Sequence, residues 1–287
     1  MRFGATMVKS ILVTGSTDGI GLLAAKTFAA EGHNVLLHGR SKNKLNKAKS
    51  IIEPVAKGAL DVFAADLSSI DGVEALAANI KSKYDRLDVL INNAGILKDV
   101  GILKDAGSDL ADGRDSRFVV NCLSPYLLTK RLLPIVPAET GRIVNLSSAA
   151  QQNSNSVNLK AFTEPMRFSD FDAYAQSKLA ITQWSAYLAQ QLKSKGGPVV
   201  IAINPASMLG TKMVKEGFGV AGNDISIGSD IIVRAALSDE FGSNANGKYY
   251  DNDSGRFREP HRDVKDARKN EQLIRVMDDV IASCSSN

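Results

Sequence analysis

The stretch that most restricts the fold lies near the start of the chain. Ser10-Ile11-Leu12-Val13-Thr14 is a short, mostly apolar run with β-branched residues, the pattern of a strand buried on both faces. It runs directly into Gly15-Ser16-Thr17-Asp18-Gly19-Ile20-Gly21, then into helical spacing through Leu22, Leu23, Ala25, Phe28 and Ala29. A strand, a glycine turn and a helix N-terminus in succession make an anion site, because free backbone N–H groups and the positive end of the helix dipole converge there. Glycine lets a pyrophosphate approach the backbone and lets the helix pack close to the strand. The spacing is not the GxGxxG of the common dinucleotide fingerprint, so the strand before and the helix after carry the reading. A tight turn of purely structural value is the competing reading. Gly15, Ser16, Thr17, Asp18, Gly19, Ile20 and Gly21 are therefore candidate cofactor-binding residues.

The same alternation continues. Asn34 to His38 reads as a second buried strand ending in Gly39-Arg40-Ser41. An acid near this strand end would hold the 2′-hydroxyl of an unphosphorylated cofactor, and none stands there. Arg40 and Ser41, followed by Lys42 and Lys44, suit a 2′-phosphate instead. A basic helix start facing water is the plainer reading for the two lysines. Asp61 to Ala65 forms a third strand, with Asp66 and Leu67 at its end able to border an adenine, and Ser69 to Tyr84 an amphipathic helix. The fourth strand, Leu87 to Ile91, precedes Asn92-Asn93-Ala94-Gly95, whose amides can tie strand ends together and whose small residues admit a nicotinamide ribose. Gly95-Ile96-Leu97-Lys98-Asp99 is nearly repeated by Gly101-Ile102-Leu103-Lys104-Asp105, too short a period for a solenoid and best read as a duplicated surface loop.

Asp109 to Leu133 is helical and carries Asn121; Arg142 to Leu146 is the fifth strand, ending at Ser147-Ser148. After a polar segment, a helix runs from Tyr174 to about Lys195, and Val199 to Ile203 leads into Asn204-Pro205-Ala206-Ser207. The glycine-punctuated stretch from Met208 to Gly228, containing Thr211, has the composition of a lid. A helix at Ser229 to Ser238, a strand at Lys248 to Tyr250 and a charged helix from about Asp263 to Ile281 follow. Strands and helices alternating in this way predict an α/β fold: a single Rossmann-like, doubly wound parallel sheet with helices on both faces. One NAD(P)-binding domain over 1–287 is expected, with a catalytic core over about 9–250 and a C-terminal helical tail over 251–287.

Composition excludes several classes. A net charge of +4 over 287 residues is mild, compatible with a phosphate-bearing ligand and no argument for nucleic acid. Cys122 and Cys284 are far apart and the three histidines, His33, His38 and His261, do not cluster, so no metal site is expected. No apolar run reaches the length of a membrane span, and Met1 to Lys9 is too short and mixed for a secretory signal. A cytoplasmic setting is the expectation.

Chemistry enters with Asp172-Ala173-Tyr174-Ala175-Gln176-Ser177-Lys178. Tyr174 and Lys178 are four apart and share one helix face. Bringing a tyrosine from about 10 toward neutrality takes roughly 4 kcal/mol. One cation ~4 Å away at an effective dielectric of ~20 supplies about that much. Alone, such a pair is more often a half-buried ring beside a solvated amine. The order of motifs around it decides otherwise. Thr14-Gly15-x-x-x-Gly19-x-Gly21, Asn92-Asn93-Ala94-Gly95, Ser148 and Tyr174-x-x-x-Lys178 together resemble the short-chain dehydrogenase/reductase family, over about Lys9 to Tyr250. The string from Tyr174 to Ala180 and the long segment before it look most like its retinol-dehydrogenase-like branch.

That resemblance implies an oxidoreductase interconverting a carbonyl and an alcohol by hydride transfer, with NADP(H) preferred on the strength of Arg40 and NAD(H) as the alternative. Tyr174 would be the general acid and base. Lys178 would lower its pKa and hold the nicotinamide ribose. Ser148, rather than Ser147, would hydrogen-bond the substrate oxygen, and Asn121 would position a relay water. Asn93, Ala94, Gly95, Pro205 and Thr211 join the cofactor set by the same likeness. The family commonly pairs through two long helices, so the resemblance allows a homodimer or homotetramer. The amphipathic pattern from Tyr174 to Lys195 equally suits simple core packing. Ser124 and Ala206 depart from glycines frequent in the family. A non-catalytic NADP(H) sensor and an epimerase or dehydratase remain alternatives on this fold. The substrate is expected to be moderately bulky and apolar. Phe162, Met166 and Phe168 would form one wall and Met208, Met213 and Phe218 the other, although the phenylalanines could equally anchor a loop.

Overall fold

A computed structural model describes residues 7–98 and 114–284. Among these, eight strands form one sheet in the order β3-β2-β1-β4-β5-β6-β7-β8. In chain order the first part comprises β1 (Ser10–Val13), α1 (Gly19–Ala30), β2 (Asn34–Gly39), α2 (Lys42–Ile52), β3 (Leu60–Ala64), α3 (Ile70–Lys81) and β4 (Val89–Asn92). A continuous helical rod follows: α4 (Ser116–Phe118), a π-helical segment over Val119–Leu123, and α5 (Ser124–Leu132). Then come β5 (Arg142–Leu146), α6 (Asp170–Lys193), β6 (Val199–Asn204), α7 (Lys212–Phe218), α8 (Ser226–Leu237), β7 (Tyr249–Asp251), β8 (Arg256–Arg258) and α9 (Ala267–Cys284).

Seven strands run parallel, as the alternation of strand and helix requires. Adjacent strand residues point to opposite faces, and both faces are covered. Leu12, Leu36, Leu90, Ile143 and Val200 pack among residues of α3, α5, α6 and α9. Ile11, Val13, Val35, Ile91, Val144 and Ile201 pack among residues of α1 and α8 on the other side. Burial on both sides is why these strands read as nearly unbroken apolar runs.

Beyond residue 250 the chain adds one antiparallel edge strand to the parallel sheet before its terminal helix. β8 pairs antiparallel with β7 through the turn 252–255, and Phe257 lies edge-on to Tyr250 at 5.1 Å. A three-residue strand with arginines on either side of one phenylalanine carries too little periodicity to be read from sequence. α9 belongs to the core: Leu273, Met277, Val280 and Ile281 are buried, and Asp278 accepts from the Tyr126 hydroxyl (2.9 Å) and from Lys130 (2.7 Å). α9 packs on α6. Trp184 of α6 is fully buried against Tyr126. The near-repeat after Gly95 and the start of the segment at Asp109 fall largely outside the described residues.

Candidate active site

The carboxyl ends of β1, β2, β4, β5 and β6 open onto one cavity of about 630 Å³. Such a crevice outside the strand ends, at the switch in strand order between β1 and β4, is where open α/β sheets take ligands. The glycine turn forms its floor. Gly15 has φ +65°, the left-handed region, and a Cβ on Gly21 would stand 2.4 Å from Asn93 Nδ2. Asn93 pins that turn, since Nδ2 donates to Thr14 O (2.8 Å) and Gly15 O (3.2 Å). Thr14 Oγ1 accepts from the N–H groups of Asn93 (2.9 Å) and Ala94 (3.0 Å). Asn92 ties β4 to β5, donating to Asn145 Oδ1 at 2.7 Å.

Gly15, Thr17, Asp18, Gly19, Ile20 and Gly21 line this end of the cavity, and Arg40, Asp66 and Leu67 border it. Asp18 caps α1 by accepting from Gly19 N–H at 2.8 Å. Arg40 is exposed and makes no ion pair among the described residues, so its guanidinium is free to meet an anion. Two residues of the sequence set stand back. Ser16 is fully buried and exchanges hydrogen bonds with the His38 backbone, and Ser41 caps α2. His38, at the end of β2, also lines the cavity. Its Nδ1 accepts from Gly15 N–H at 3.3 Å and its Nε2 meets Ala65 O at 3.2 Å. Burial lowers its pKa to about 4, so it is a neutral strut at physiological pH.

Ser148, Tyr174 and Lys178 meet deeper in the cavity, with Asn93, Ala94, Gly95 and Pro205 around them. β5 ends at Leu146, and the next two residues point differently. Ser147 is buried, its hydroxyl bonded to Thr182 (2.6 Å) and Lys178 O (3.2 Å). Ser148 faces the cavity together with Tyr174, and its Oγ accepts from Ala150 N–H at 3.2 Å. Asn121 sits behind, in the π-helical segment, a distortion common at functional sites. Its amide clasps Ile96, accepting from N–H and donating to O, both at 2.8 Å, and it donates to Ser177 Oγ at 3.0 Å.

The electrostatics differ from the simple pair argument. Lys178 Nζ lies 5.6 Å from the Tyr174 ring centre and donates to Leu146 O at 2.7 Å. Burial pushes the Tyr174 pKa up, opposed by the Ser148 hydrogen bond, so the downward pull expected from Lys178 does not prevail in this arrangement. Burial also lowers Lys178 from 10.5 to about 8. The unfolded chain holds that proton more tightly, so Lys178 opposes folding below pH 8, and the penalty fades as pH rises toward 10.5. Lys178→Met should therefore be more stable than wild type at neutral pH, by on the order of 3 kcal/mol. The gap in unfolding free energy should close toward pH 10.5; a gap constant with pH would contradict the buried charge.

The outer cavity is apolar. Ile96, Leu97, Val120, Phe171, Met213 and Phe218 line it, together with Met208 and Leu209. The expected wall of Phe162 and Phe168 is elsewhere. Both pack against Phe118, at 5.3 and 5.4 Å between ring centres, and anchor the loop before α6. Phe171, one turn before Tyr174, takes that place and was not singled out in the sequence. The two departures from the family's glycines also gain a setting. Ser124 Oγ donates to Leu67 O at 2.5 Å, and Ala206 has φ 118°. Thr211 lines the cavity and caps α7 through Val214 N–H.

The model of the short chain dehydrogenase family matches residues 9–218. Short-chain dehydrogenase TIC 32 A of Brassica napus is 31% identical over 73% of this chain and 67% of its own length. Human polyprenol dehydrogenase is 30% identical over 72% of this chain, and human retinol dehydrogenase 13 is 32% identical over 69%. The chain spans 62% and 58% of the lengths of these two. A short chain dehydrogenase of Shigella flexneri, solved with NADP, superposes with a TM-score of 0.66 at 27% identity, covering 85% of this chain and 97% of its own. Matched by the family model across most of its length and sharing the fold of such an enzyme, the chain belongs to the short-chain dehydrogenase family, oxidoreductases acting on CH–OH groups.

Proposed function

We propose that this protein interconverts a carbonyl and an alcohol on a moderately bulky, apolar substrate, using NADP(H). One observation carries the reading: a single cavity has a glycine turn and an exposed arginine at one end, Tyr174 and Ser148 within, and an apolar mouth. The residues fit a phosphorylated dinucleotide. Side chains at Gly15 and Gly21 would fill the space against Asn93 and Ala94, and Arg40, without an ion pair among the described residues, offers a charge-assisted donor. Bound there, the cofactor would supply or accept the hydride.

The chain's own groups do the rest. The Tyr174 phenol, protonated at neutral pH because burial raises its pKa, gives its proton to the substrate oxygen in reduction and takes it back in oxidation. Ser148 donates to the same oxygen where negative charge develops. Lys178 holds a ribose and favours the phenolate. Asn121 fixes the loop at Ile96 and the helix at Ser177, where it would position a relay water. The aliphatic and aromatic mouth selects the apolar body of the substrate; the relatives named for retinol and polyprenol, both apolar alcohols, support that class.

Cofactor choice is tested at Arg40. A charge-assisted bond to a 2′-phosphate is worth about ten- to a hundredfold in affinity. Arg40→Ala should weaken NADPH binding by that factor and leave NADH binding nearly unchanged, measured by fluorescence titration. Equal dissociation constants of the wild type for the two cofactors would defeat the NADP(H) assignment.

A further inference from the structure

The segment after β6 is held in a conformation that its own residues disfavour. Pro205, Ala206, Ser207 and Met208 all line the cavity. Ala206 and Met208 lie in left-handed backbone, with φ 118° and 54°. A Cβ makes such conformations less populated by roughly five- to more than a hundredfold unless surrounding contacts impose them. Ser207, between the two, is gripped from outside. Its N–H donates to Asp253 Oδ1 at 2.7 Å and its hydroxyl to Asp253 Oδ2 at 2.5 Å. Oδ2 also accepts from Asn204 Nδ2 at 2.9 Å, so one carboxylate joins the strand end to the loop.

Neighbouring contacts hold other edges of the segment. Asn252 Nδ2 donates to Pro205 O at 3.0 Å, while Asn223 donates from its backbone to Met208 O (2.6 Å) and from its side chain to Ser207 O (3.3 Å). The carbonyl side is thus held by Asn223, and the amide side, next to Ala206, by Asp253. Asp253 sits on the turn between β7 and β8, the hairpin that lies outside the stretch matched by the family model.

We propose that Asp253 is a positioning residue for the reaction: through Ser207 it holds Ala206 in its strained conformation, keeping Pro205 and Met208 against the reacting end of the cavity. This rests on the dinucleotide reading of that cavity. Without Asp253, Ala206 relaxes and the segment leaves its place. Glycine at 206 carries no such penalty, so it allows the working conformation without the clamp.

The test is a cycle of wild type, Asp253→Ala, Ala206→Gly and the double variant. Without any ligand, Ala206→Gly should raise the melting temperature of the wild type and add little to Asp253→Ala, whose strain is already released. In NADPH turnover with decanal, Asp253→Ala should lower kcat on the order of tenfold, and Ala206→Gly should restore most of the loss. Binding of 2′,5′-ADP, which reads only the far end of the cavity, should stay unchanged. The proposal is overturned if Ala206→Gly stabilises both backgrounds equally, or if Asp253→Ala keeps wild-type kcat. If the wild type binds no NADPH, the dinucleotide reading fails, while the ligand-free cycle still decides the clamp.

Discussion

Tyr174→Phe is expected to lower carbonyl reduction by about 10²–10⁴-fold while NADPH binding persists, the usual range for losing a positioned acid. The substitution keeps the ring, which stacks beneath Lys178 at 5.6 Å, and removes only the hydroxyl that meets Ser148. Because the phenol's pKa is raised in the free protein, reduction should be level through neutral pH and fall on the alkaline side as the proton is lost. Single-turnover rates with saturating cofactor separate this from a binding defect. Near wild-type turnover in the variant would remove Tyr174 from the chemistry.

The second large effect is on stability. Asp115 and Arg117 form a buried pair, each side chain about 3% exposed. Arg117 Nε donates to Asp115 Oδ1 at 2.7 Å, a second guanidinium nitrogen meets Oδ2, and the third reaches Asp170 Oδ1 at 2.6 Å. The cluster fastens α4 to the first residue of α6, four positions before Tyr174, and so sets where the tyrosine helix begins relative to Asn121. Asp115→Ala leaves the arginine buried against a half-exposed partner, and breaking such a pair costs about 3–5 kcal/mol. Urea unfolding should show that loss. Asp115→Leu combined with Arg117→Met should cost less than the single change, because the buried guanidinium is removed together with its buried carboxylate. A single variant within 1 kcal/mol of wild type would show that the cluster does not fasten the helix.

What was legible in the sequence follows a physical division. That Gly15, Gly21, Asn93, Ser148, Tyr174 and Lys178 come together at one cavity could be read because the motifs fix each at a strand end or helix turn. The two sheet faces could be read because strands covered on both sides leave continuous apolar runs. Groups whose roles depend on distant partners could not. Lys178 faces a carbonyl of β5, Phe162 and Phe168 turn to Phe118 rather than the cavity, and α9 closes over α6 from the far end of the chain. His38 and Asp253 became visible only when folding set them beside Gly15 and Ser207.

The most direct measurement follows the hydride. Wild-type protein is supplied with NADPH carrying deuterium at the transferable position and an apolar aldehyde, and the product is analysed by mass spectrometry. The account predicts an alcohol carrying that deuterium on the former carbonyl carbon, formed by the wild type and almost not at all by Tyr174→Phe. Tight NADPH binding with no labelled alcohol from any aldehyde or ketone tried would contradict it and favour a cofactor-binding sensor on the same fold.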